Sequence, residues 1–298
     1  MVRQYKIHTN LDGTDDKVWD VTNGKVRFYQ PSNLGLQSTN NIWQSNGIGV
    51  MGTRSITQPQ IEFKLETFGE SLEENYQLMK DFVNDILNQK FVTLEYQTEI
   101  FQVYADLALA DVTKTEGYGK NGTFSEKITF DIITKWYTYE KLTFEKIQNG
   151  KVIAGKSKIY GGTAPGNYKY VKGISYTYYG ETNIERLSRW DTKDEIFSFM
   201  GILYPKLPKT PTGVRFLDDI GNEYTAIVFK TEQAQNYILI NTDVNDEIYQ
   251  GWNGTTSLNL FPVMDFERYR TRIIEKGQME LINLSKAEFK IKRKADFV

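Results

Sequence analysis

Cysteine is absent from the 298 residues, and histidine occurs once, at His8. The first absence removes disulfides, thiolate nucleophiles and thiolate metal sites together. The second leaves a histidine-based triad nothing but His8 to run through and forbids a multi-histidine metal site; an ordinary polar residue on a first strand is the expectation for it. Neither sign of charge is in excess. With 36 basic and 38 acidic side chains, no global field steers the chain to nucleic acid or to an anionic membrane. No apolar run is long enough to cross a bilayer, and MVRQYKIHTN at the start lacks the apolar segment of a signal peptide, so synthesis and folding in a cytoplasm are expected. Proline is scarce, at 7 residues against 23 Gly, 19 Tyr and 17 Phe, a balance of strand and turn formers that makes mainly β the expected class. This length suits two domains, or one large β domain.

Helix, turn and strand are clearest between Ser71 and Val112. Ser71 with Glu74 three residues on spells a capping box, in which the serine oxygen accepts an orphan amide and the glutamate reaches back to the serine N–H. Leu72, Tyr76, Met79, Phe82, Val83, Ile86 and Leu87 recur at three- and four-residue steps, which predicts a helix over about 71–90 with one apolar, core-facing stripe. Phe91 to Gln97 then alternates with period two, as do Gln60 to Phe68 before the helix and the segments TLEYQTEIFQVYADLALADV and GTFSEKITFDIITKW after it. Asn-Gly pairs begin at 23, 46, 121, 149 and 253, and such pairs favour the tight turns of antiparallel hairpins. The pattern breaks near WYTYEK, which puts a first domain at 1–136 and a second at 137–298. Short alternating strands separated by polar turns from Tyr204 onward have the form of a β-sandwich.

Several stretches invite functional readings. Tyr29 to Thr57 is polar and glycine-rich, fits no period, and carries Leu34, Leu36, Ile42, Trp43, Ile48, Val50 and Met51. A long loop that packs on a neighbouring subunit explains both features; a loop folded onto its own domain is the plainer alternative. Gly150 to Ser157, GKVIAGKS, spells a phosphate-binding loop, but a hairpin turn precedes it and three glycines and a proline follow where a helix should start. Lys156 and Ser157 are therefore expected on a surface strand. Downstream, Tyr160, Tyr168, Tyr170, Tyr176, Tyr178 and Tyr179 sit among Gly, Lys, Ser and Thr, a composition suited to contact rather than to a core. NIERLSRWDTKDEIFSFM, with Ile184, Leu187 and Trp190, suggests a short helix followed by a strand. Asp12, Asp15 and Asp16 lack the spacing of a calcium loop and are expected in a solvated turn. Lys290, Lys292 and Lys294 are expected on a solvated strand face rather than in a nucleic-acid patch. Exposed Trp190 or Trp252 would suit a carbohydrate-binding module. The many carboxylates leave a glycoside hydrolase conceivable, but sequence spacing does not place two of them across a cleft.

FVTLEY after the capped helix, the strand KITFDIITKWY, and the tail segments YILINTDVNDEIYQGWNG and IIEKGQMELINLSKAEFKIKRKADF together resemble the distal tail proteins of lactococcal siphophages. The resemblance runs the length of the chain, although no single motif carries it. It implies a tail-tube-like N-terminal domain that assembles into a homohexameric ring, and a C-terminal galectin-like β-sandwich. It also implies an arm-like insertion at about 145–200 that holds receptor-binding proteins, with the tyrosines named above and Trp190 as candidate contacts. The implied protein is a non-enzymatic baseplate hub in the virion, without cofactor or metal. Its partners are its own copies, the receptor-binding protein, the tail tube and tail-tip proteins, with no direct nucleic-acid recognition and no membrane.

Overall fold

The computed structural model describes residues 3–13, 15–35, 37–57, 60–115, 125–145, 157–160, 175–179, 184–187, 196–218, 220–230, 234–270 and 278–295. The chain divides into two compact units, one of residues 1–138 with 295–298 and the other of residues 139–294.

The first unit contains β1 (Gln4–His8), β2 (Val18–Asp20), β3 (Val26–Ser32), β4 (Gln37–Ser45), β5 (Ile48–Thr57), β6 (Ile61–Thr67), the helix α1 (Leu72–Leu87), β7 (Val92–Gln97), β8 (Gln102–Thr113) and β9 (Ser125–Ile132). Seven of these strands pair in the order β2-β1-β7-β8-β9-β6-β3, all antiparallel. Period-two patterning does what the sequence implies in β6, where Ile61, Phe63, Leu65 and Thr67 are buried and Glu62, Lys64 and Glu66 are not. Phe63 stacks on Phe28 at 4.6 Å and meets the Tyr5 ring edge-on at 5.5 Å. α1 covers this aromatic layer by inserting Phe82, which lies 5.2 Å from Trp19 and 5.8 Å from Phe28, both edge-on.

The helix starts at the expected serine: Ser71 Oγ accepts the Glu74 N–H at 3.1 Å. The return bond differs, because the Glu74 carboxylate takes the Glu70 N–H and pairs with Lys25. A second device is not announced by any period. Asn75 is buried, accepts the Gly69 N–H at 2.7 Å and donates to the Ser71 carbonyl at 3.0 Å, tying the incoming chain to the first turn. The apolar stripe also needs correction. Phe82 and Ile86 are buried and Met79 and Val83 are partly buried, but Leu72, Tyr76 and Leu87 are 50%, 61% and 61% exposed. Seven apolar positions span more arc than one sheet covers. At roughly 100° per residue, Leu72, Tyr76, Val83 and Leu87 lie roughly 60–120° around the helix from the midpoint of Phe82 and Ile86.

Residues 29–57 are not a long loop. Residues 29–32 end β3, and β4 and β5 form a separate two-stranded antiparallel hairpin. Its turn is Asn46-Gly47, with φ of 49° and 77°, the pair of positive angles that a type I′ turn requires. Alternation is hidden in the sequence because apolar residues occupy consecutive positions at Ile42-Trp43 and Val50-Met51. They therefore point to opposite faces.

β10 (Tyr137–Glu145) leads into the second unit. There follow β11 (Ser157–Tyr160), β12 (Ser175–Tyr179), β13 (Ile184–Leu187), β14 (Ile196–Pro205), β15 (Thr212–Leu217), β16 (Glu223–Phe229), β17 (Tyr237–Asn241), β18 (Ile248–Trp252), β19 (Ser257–Asn259), β20 (Gln278–Ile282) and β21 (Leu284–Lys294). Two strand series, β19-β18-β17-β14-β21-β10 and β11-β12-β13-β20-β15-β16, enclose one core. Phe199, Ile240, Tyr249 and Phe289 from the first series share it with Phe216, Phe229 and Leu281 from the second. At the passage from β20 to β21 sits buried Asn283, at φ 52°. Its amide donates to the Leu207 carbonyl at 2.9 Å and to Thr212 Oγ1 at 2.8 Å, and its oxygen accepts the Leu207 N–H at 3.0 Å.

Two further expectations fail here. Residues 184–187 are a strand rather than a helix, because pairing with β20, Ile184 opposite Ile282, overrides a weak local period. Lys292 is not solvated: it is 3% exposed and its ammonium donates to Asp243 Oδ2 at 2.7 Å. Residues 157–160 form a strand, which removes the helix that a phosphate-binding loop would need; Lys156 lies outside the described residues.

The packing predicts that Phe82→Ala lowers stability by about 3–5 kcal/mol and Ser71→Ala by about 1 kcal/mol. Urea denaturation of both variants checks this. A smaller loss for Phe82→Ala than for Ser71→Ala would contradict the account of how α1 is held.

Candidate interaction surfaces

The β4–β5 hairpin brings together the apolar residues that the sequence singled out between 29 and 57. Ile42 opposes Met51, Trp43 opposes Val50 and Ser45 opposes Ile48. Directly opposed residues share a face, so Trp43, Val50 and Ile48 line one side while Ile42 and Met51 line the other. Both sides are open: Trp43 and Ile48 are 69% exposed, Val50 63%, Ile42 54% and Met51 51%. Arg54 Nε donates to Asn40 Oδ1 at 2.9 Å. Leu34 behaves differently, since it packs on the core of the first unit; Leu36 lies outside the described residues. A two-stranded ribbon is marginal alone in water, and a cluster of exposed large apolar side chains is a common mark of an interaction site.

The tyrosine-rich region is a strand extension as far as it is described. β11 and β12 run parallel, with Tyr160 opposite Tyr178, and β12 pairs antiparallel with β13, Tyr178 opposite Arg186 and Tyr179 opposite Glu185. β13 in turn pairs with β20 of the sandwich. Tyr176 also lies in β12. Tyr168, Tyr170 and Trp190 lie outside the described residues. Trp252, expected as an exposed sugar platform, is half-buried in β18, opposite Tyr237.

His8 is not solvated, and both of its ring nitrogens are held by carboxylates. Its ring is buried, with Nδ1 2.7 Å from Asp16 Oδ2 and Nε2 2.9 Å from Glu95 Oε2, while Lys6 donates to Glu95 Oε1 at 2.9 Å. Asp16 also accepts the Asn10 N–H, so the cluster staples the turn between β1 and β2 onto β7. Burial opposes a charge on the ring, but hydrogen bonds to Glu95 and Asp16 prevail and hold the imidazole pKa above its ordinary value. Burial likewise opposes ionisation of Glu95, and bonds from His8 and Lys6 overcome it, lowering that pKa to about 2. Tyr104, desolvated beside Glu95, is raised to about 12. Next to this cluster, buried Asp106 accepts from Thr93 Oγ1 at 2.7 Å and from Tyr137 OH at 2.6 Å. The sequence hints at this polar layer only as polar residues on well-formed strands. Among the described residues, no group of three or more His, Asp or Glu side chains is arranged to hold a metal ion.

Comparison with known proteins gives matches along the whole chain. The family profile for the N-terminal domain of distal tail proteins matches residues 4–133, and that for the distal tail protein C-terminal domain matches residues 135–298. The distal tail protein of Lactococcus phage p2 is 94% identical over 298 residues, and that of Lactococcus phage SK1 is 93% identical, each with 100% of both chains covered. Chains in two solved structures of the phage p2 baseplate in its activated conformation, with Ca and with Sr, are similar at TM-scores of 0.79 and 0.80. They are 92% and 91% identical, again with 100% of both chains covered.

The His8 cluster predicts a pH dependence of stability. A folded-state pKa above the unfolded value means that the stabilisation is fully present below about 6.5 and is lost as pH rises through the folded value. Glu95 acts at the other end, its contribution being present above about 4.5 and lost as pH falls toward about 2. Thermal unfolding of the native protein and of His8→Gln should differ most near pH 6 and converge at alkaline pH. An equal difference at pH 6 and pH 9 would dismiss the charged staple.

Proposed function

The chain belongs to the distal tail protein family, a structural component of the phage baseplate, and from that premise we propose that it is a ring-forming hub. Copies close head to tail into a hexamer through a heterologous interface, in which rotation rather than a two-fold axis completes the assembly. Residues 1–136 form the ring, and the β4–β5 hairpin is the part that reaches the next copy. The observation that carries this reading is the hairpin itself, with five large apolar side chains more than half exposed on both of its faces. Covering one such side chain contributes on the order of 2 kcal/mol gross, and several together are needed to offset the freedom lost on association.

Residues 137–298 form a galectin-like sandwich whose insertion, at about 145–200, is an arm that grasps receptor-binding proteins during host adsorption. The edge-on addition of β11, β12 and β13 to β20 supports an arm that grows out of one sheet. Tyr160, Tyr168, Tyr170, Tyr176, Tyr178, Tyr179 and Trp190 are its proposed contacts, since tyrosine and tryptophan supply broad contact area at low entropic cost. The tail tube and tail-tip proteins are the remaining partners, and the chain is made in the host cytoplasm before it enters the virion. The role is non-enzymatic, as the likeness to distal tail proteins of the phage baseplate supports.

Negative-stain images of the purified protein should show six-fold rings, and the double variant Trp43→Ala, Ile48→Ser should shift the population to monomers while leaving the fold intact by circular dichroism. Uniform monomers from the native protein would defeat the proposal. Deleting 160–179 should abolish co-purification of the receptor-binding protein with rings preserved; loss of the rings would defeat the division of labour.

A further inference from the structure

A ring closed by a heterologous interface needs a second, different surface on every copy. That surface has to be apolar, long enough for the hairpin, and in the ring-forming unit. The flank of α1 displaced from the core meets these conditions: Leu72, Tyr76 and Leu87 are at least half exposed and Val83 is partly buried between them and the core. Ile100, at 88% exposure, lies on the short turn between β7 and β8 and offers no comparable length.

Resting on the ring proposed above, we infer that the exposed flank of α1 receives the β4–β5 hairpin of the neighbouring copy. Length and charge both favour this occupant. From Ile48 to Arg54 the ribbon advances five pair steps across the register shift, about 17 Å at about 3.3 Å per residue, and from Leu87 back to Glu73 the helix advances about 21 Å at about 1.5 Å per residue, a difference that an arginine side chain spans. With the hairpin tip at the Leu87 end, Arg54 therefore reaches the first turn of the helix. Arg54 is the one charged residue between 37 and 57, whereas α1 carries Glu73, Glu74, Asp81 and Asp85 against Lys80. Glu74 and Asp85 are ion-paired with Lys25 and Lys17 of the same unit. Glu73, exposed in the first turn, is the carboxylate that Arg54 would meet. The register shift between Asn40 and Ile42 puts Arg54 on the face of Ile42 and Met51, so those two side chains would cover the apolar flank beyond the first turn.

The absence of cysteine makes the test direct. In the full-length chain carrying both Met51→Cys and Tyr76→Cys, mild oxidation should produce a ladder of covalent oligomers up to the hexamer, and mixing the two single variants should produce a heterodimer. Particle size is measured on the same samples before oxidation by mass photometry. Rings with the ladder support the inference. Rings without it, or a bond formed within one chain, overturn the inference and leave the ring reading standing. If the native protein forms no rings, both fall. A charge exchange gives a second readout: Arg54→Glu should raise the concentration at which rings half-dissociate about tenfold, and adding Glu73→Arg should restore it. Failure of the second change to rescue the first would reject the Arg54–Glu73 contact. Both positions are exposed, so neither change threatens the core.

Discussion

The insertion of Phe82 between Trp19 and Phe28 is the contact on which the first unit depends. Among the described residues, seven paired strands have one helix to cover their aromatic layer, and that helix can be seated in few ways once Asn75 has fixed where its first turn meets the incoming chain. Fixing rotation about the helix axis decides which of its apolar residues are core and which face water. The same event that completes the core thus sets the outward flank of Leu72, Tyr76 and Leu87. In the ring proposed above, assembly would inherit its geometry from folding.

Polar burial does corresponding work in both units. His8, Glu95 and Asp16 staple a turn, Asp106 gathers hydroxyls from Thr93 and Tyr137, Asn283 braces the passage between β20 and β21, and Lys292 meets Asp243 inside the sandwich. Each group has partners, as burial demands. Such networks fix which strands and turns lie together more than they add net stability, which suits a protein whose task is to hold a shape for others to bind.

Much of this was legible in the sequence. The capping serine, the period change near Phe91 and the alternation of β6 are local signals, and local physics honoured them. The failures share a cause. The β4–β5 hairpin was hidden because alternation becomes visible only when one face is buried, and here both are open. The strand at 184–187 takes its form from a partner nearly a hundred residues away. The burial of Lys292 and the staple at His8 depend on Asp243 and Glu95, which no spacing connects to them. For the candidate surfaces, composition was the better guide: stranded tryptophan and aliphatics between Tyr29 and Thr57 do mark an exposed apolar ribbon, whatever its secondary structure. The helix flank escaped notice because seven apolar positions read as a single stripe until the sheet shows how many it can cover.

A ribbon of two strands with both faces in water has little to keep it ordered. In the ring proposed above, its order in a free subunit would therefore be a matter of population, and the neighbouring copy would select the ordered form. Association in that ring would carry the thermodynamic signature of folding coupled to binding, with a heat capacity that falls by more than a rigid contact would give and part of the gross interaction energy absorbed in ordering the ribbon. The benefit is kinetic. In that ring, a subunit whose adhesive element is only partly formed would be slow to join the wrong neighbours before its own ring is complete.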